Sequence, residues 1–143
     1  MRWLTFGSIL VSWVILSGLM SCNGRSADND FVVSTQKSSE LAELMRALYD
    51  DAEGMKAHIA QGTPVISEVD FHAILTAEAT EPDKAASAEY RVFSEAFFLA
   101  VENLQSSTSE SADSLFLSMV TSCENCHRAL CPGPLKKIKK LRD

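Results

Sequence analysis

Residues 112–134 read ADSLFLSMVTSCENCHRALCPGP. Leu115, Phe116, Met119 and Val120 recur at the spacing of one helical face, and Pro132-Gly133-Pro134 supplies the stop. The spacing predicts a last long helix from about Ala112 to Leu130 that carries Cys123, Cys126 and His127 near its end. One amphipathic helix cannot bury its own stripe, so partners must be sought upstream.

Three upstream segments meet that need. Leu41, Leu44, Met45, Leu48, Ala52, Met55 and Ile59 trace a seam from about Ser38 or Ser39 to Gln61, closed by Gly62-Thr63-Pro64. Val65, Ile66, Val69, Phe71, Ile74 and Leu75 suggest a weaker helix running from near Ser67 to about Ala79, before Pro82 interrupts. A further helix is expected over 88–106, with Val92, Phe93, Phe97, Val101 and Leu104 inward and Tyr90 and Phe98 at its edges. Together they predict an all-α fold, a four-helix bundle.

The chain has 143 residues, 46% of them apolar, which suffices for a single core. Arg2 and the apolar run from Trp3 to Met20 have the layout of an export signal. Leu19-Met20-Ser21-Cys22 resembles the bacterial lipoprotein cleavage box, which makes Cys22 the lipidated first residue of the mature chain. The expected organisation is therefore a signal over 1–21, a tether over 22–36 and a helical domain over 37–143. That places the domain on the periplasmic side of a membrane, held there by lipid. Removing the signal costs Arg2 and none of the 19 acidic residues, so the domain is strongly acidic and offers no general basis for nucleic-acid binding.

In an exported chain, Cys123-Glu124-Asn125-Cys126-His127 has the c-type haem attachment spacing. Two thiols can form thioethers to one porphyrin, and the adjacent imidazole of His127 can reach its iron. Other chemistries use the same residues. A thiol-redox pair also has two intervening residues, although it usually follows a strand, whereas an apolar helical face precedes this one. A zinc site would need a further ligand, for which Cys131 is the candidate.

The chain resembles the class II cytochromes c, the cytochrome c-prime and c556 group. The resemblance rests on an attachment motif near the C-terminus, on Met45-Arg46-Ala47-Leu48-Tyr49-Asp50-Asp51 in the first helix and on Cys131-Pro132-Gly133-Pro134. It covers most of 38–141. It implies one covalent haem c, with His127 proximal to the iron and Met45 distal. It also implies electron transfer to a redox protein partner without substrate chemistry, and homodimers are common in the family. An open distal face would instead bind nitric oxide or carbon monoxide, and a non-haem thiol-redox or structural helical lipoprotein stands as the alternative. Met55 and Met119 are read as core residues, His72 as a secondary ligand candidate, His58 as undecided and Cys131 as a buried free thiol. Lys136, Lys137, Lys139 and Lys140 form a positive tail around Leu135, Ile138 and Leu141, suited to an acidic partner or an anionic lipid surface.

Overall fold

The computed structural model describes residues 38–143. The export signal, the Cys22 lipidation site and the 22–36 tether lie outside the described residues. The described part is all-α, with five α-helices and two 3-10 helices. Three of the α-helices are long: α1 (Glu40–Gln61), α3 (Ala88–Gln105) and α4 (Ala112–Leu130). Two are single turns, α2 (Pro82–Ala85) and α5 (Leu135–Ile138).

Local chemistry sets the helix ends. The Ser39 side chain accepts a hydrogen bond from the Ala42 N–H and so caps α1, while Glu40 and Glu43 place negative charge at its positive end. Gly62 closes α1 in the left-handed conformation at φ 65°, and its N–H bonds back to the last carbonyls. Ser87 caps α3 through the Tyr90 N–H. Pro82 opens α2 at a position where its missing N–H costs nothing.

The second helix expected over 67–79 does not form. In its place stands a 3-10 helix of five residues, Phe71–Leu75. The Asp51 carboxylate of α1 accepts from the Ser67 hydroxyl at 2.7 Å and from the Glu68 N–H at 3.0 Å. Those bonds fix the stretch as a strap across α1, and β-branched Val65, Ile66 and Val69 give it little helical preference to oppose them. Asp70 then caps the short turn through the His72 N–H. Phe71 and Ile74 still bury their side chains, so the segment fills the core without supplying a helix.

The core runs between α3 and α4, with Val101, Leu104, Met119 and Val120 fully enclosed. On α3, the buried face is Tyr90, Ser94, Phe98, Val101 and Leu104. The face is thus rotated from the sequence expectation: Val92 is exposed and Phe93 and Phe97 are half-buried. The buried hydroxyl of Tyr90 donates to the Ile74 carbonyl at 2.8 Å, and this bond locks α3 onto the 3-10 turn. On α1, Ala52 and Met55 are buried, whereas Leu41, Leu44, Met45 and Leu48 are only half-buried. Leu41, Met45 and Leu48 on that half of α1 help to wall a cleft.

Candidate functional site

The cleft gathers residues from every long helix. Met45, Leu48, Tyr49 and Met55 come from α1, Tyr90, Phe93 and Phe97 from α3, and Met119, Cys123, Cys126 and His127 from α4, with Phe71 and Ile74 between. A second hollow adjoins it on the side of Leu41, Lys84, Leu130 and Cys131, and Met45, Tyr49, Tyr90, Cys126 and His127 line both. The structure therefore brings together Met45, Cys123, Cys126 and His127. It leaves His58 outside, exposed and hydrogen-bonded through Nδ1 to the Thr63 hydroxyl at 2.8 Å. His72 is also exposed, with its ring against Phe71 and Phe98 at centroid distances of 4.4 and 4.5 Å.

Three free cysteines lie among the described residues. Burial pushes the Cys123 thiol up to about 12 and the Cys126 thiol up to about 11, from an ordinary 9.0. Cys131 is exposed, not buried as expected, because α4 ends one residue before it and the chain turns outward into Pro132. Burial also lowers the His127 pKa, favouring the neutral ring. Its Nδ1 lies 3.0 Å from the Cys131 carbonyl. A carbonyl only accepts, so Nδ1 carries the proton and Nε2 keeps its lone pair.

Glu124, between the two thiols in sequence, is buried although charged. Arg142 donates from Nε to its Oε1 at 2.8 Å and from Nη2 to the Thr121 hydroxyl at 2.8 Å. The bond to Oε1 holds the Glu124 carboxyl below the usual carboxylate range. No sequence pattern could have found the pair, since the partners lie eighteen residues apart in different elements. Lys137 of the basic tail is also engaged, its Nζ 4.0 Å from the centre of the Tyr49 ring on α1.

No protein-family model, curated protein or solved structure matches the chain. A metal centre requires several donor side chains converging on one point. Among the described residues, no group of three or more His, Cys, Asp or Glu side chains could hold a metal ion. The iron centre expected between His127 and Met45 is corrected on this finding. With it go the covalent haem c at Cys123 and Cys126, electron transfer through iron, its nitric oxide or carbon monoxide variant, and placement among the class II cytochromes c. No helix among the described residues is long and apolar enough to cross a membrane.

Proposed function

We propose that this chain is a helical thiol-redox lipoprotein in which Cys123 and Cys126 cycle between dithiol and disulfide. One observation carries the reading: two free thiols, three residues apart on α4, line one apolar cleft beside a neutral imidazole. Helix geometry sets their Cα atoms about 5 Å apart, within the span of a disulfide, while their Cβ atoms at about 5–6 Å must draw closer by roughly 1–2 Å. Oxidation therefore costs a local distortion of the last turns of α4.

Cys126, less strongly perturbed than Cys123, is the attacking thiol. As the thiolate it attacks a disulfide of a redox partner protein, expelling one partner thiolate, which takes up the proton that Cys126 gave up. Cys123 then displaces the second partner sulfur from the mixed disulfide. The partner leaves as a dithiol, and the chain keeps the Cys123–Cys126 bond; two electrons and two protons have moved to the partner. The role is that of a carrier, without substrate turnover. Lys136, Lys139 and Lys140 would meet an acidic partner, and Cys22 would hold the domain by lipid on the periplasmic side. A homodimer is compatible with this role.

The test is intact mass and peptide mapping of the mature protein after equilibration in oxidising and reducing glutathione buffers. The expected result is loss of two hydrogens, mapped to Cys123 and Cys126 and reversed by reduction. A pair that stays reduced throughout would overturn the proposal. So would any group covalently attached at the two sulfurs in protein from a host with cytochrome maturation machinery.

A further inference from the structure

We propose that residues 132–143 form a strap that closes the cleft over Cys123 and sets its access from solvent. The inference rests on the dithiol reading, since a strap matters only where Cys123 reacts.

The strap has a hinge, a plug and two ties. The hinge is Pro132-Gly133-Pro134, exposed throughout, where α4 has ended and Cys131 has left helical geometry at φ −149° and ψ 75°. Beyond it come two four-residue elements, α5 and the 3-10 turn Lys139–Arg142, too short to be stable except by docking. The plug is Ile138 and Leu141, buried at 7% and 3% exposure, which line the same cleft as Cys123. One tie is Lys137 over the Tyr49 ring, reaching α1. The other is Arg142 on Glu124 and Thr121, reaching α4. The strap thus bridges the two helices between which the cleft opens.

The ties are breakable. The Arg142 side chain is 36% exposed, so water competes for its bonds. The two thiols also differ in their cover. Cys123 and Leu141 line only the first hollow, whereas Cys126 borders both. Lifting the strap should therefore release Cys123 more than Cys126.

The experiment measures alkylation of Cys123 and Cys126 by iodoacetamide in the full mature chain, resolved by peptide mass spectrometry. Arg142→Ala and Lys137→Ala are compared with wild type, with circular dichroism as the folding check. The expected result for Arg142→Ala is a rise of about fivefold at Cys123, smaller at Cys126, with helicity retained and partial rescue by Arg142→Lys. Unchanged Cys123 rates in both variants and in their combination would overturn the strap. So would equal rises at both thiols, or rises only where helicity is lost. If the variants fail to fold, wild type in about 1 M salt serves: screening should speed Cys123 selectively, and no change overturns the proposal. A Cys123 that stays unlabelled in urea instead overturns the dithiol reading, and the strap's role with it.

Discussion

Unfolding the protein at pH 8 should accelerate alkylation of its two cleft thiols by different and calculable factors. The thiolate is the reacting species, and burial lifts Cys123 from 9.0 to about 12 and Cys126 from 9.0 to about 11. Below pH 9, a thiol whose pKa stands one pH unit higher holds about tenfold less thiolate, so the native populations fall about 1,000-fold and 100-fold below those of ordinary thiols. A more basic thiolate is also a better nucleophile, by about threefold for each such step. The net slowing is therefore about 30–60-fold for Cys123 and about 10–16-fold for Cys126. The assay is the iodoacetamide rate at each residue, native and in urea, from pH 7 to 9. Native rates should climb about tenfold per pH unit throughout, whereas unfolded rates level off near 9. Native rates equal to the urea rates, or Cys123 reacting faster than Cys126, would refute the burial argument.

Two stability predictions accompany this one. Burial favours the protonated thiols, so their contribution is complete below 9.0 and lost as pH rises through about 11 and about 12. His127 and Glu124 act oppositely: their lowered pKa values give stability that is present above 6.5 and 4.5 respectively and lost as pH falls through the folded-state values. Thermal midpoints should therefore plateau between pH 6.5 and 9, and Glu124→Gln should flatten the limb below 4.5; a midpoint still rising above pH 9.5 would contradict the assignment. Leu104→Ala, at a fully enclosed site between α3 and α4, should cost about 2–5 kcal/mol in urea unfolding. A loss below about 1 kcal/mol would mean that the core there collapses around the missing atoms.

The resemblance to class II cytochromes c rested on the attachment motif and two other short segments, and the close spacing of Cys123, Cys126 and His127 admits more than one chemistry. The motif lies on a helix and borders a cleft that also receives Met45. Shared location is a weaker condition than convergence of donors on one point, and among the described residues no group of three or more His, Cys, Asp or Glu side chains could hold a metal ion. The same three side chains remain a dithiol with a neutral imidazole beside it.

The sequence by itself determined the long helices, because periodicity and caps are local. The Leu41-to-Ile59 seam gave α1, while Leu115, Phe116, Met119 and Val120 gave α4 and its buried face. It also determined that Leu135, Ile138 and Leu141 share a face, and the last two are buried. Tertiary structure decided what depends on partners distant in sequence. The Asp51 carboxylate turned an apolar stretch into a strap instead of a second helix. The rotation of α3 exposed Val92 and buried Tyr90, whose hydroxyl found the Ile74 carbonyl. Arg142 made Glu124 a buried anion beside Cys123. In each case the deciding group lies more than fifteen residues away, beyond the reach of helical periodicity.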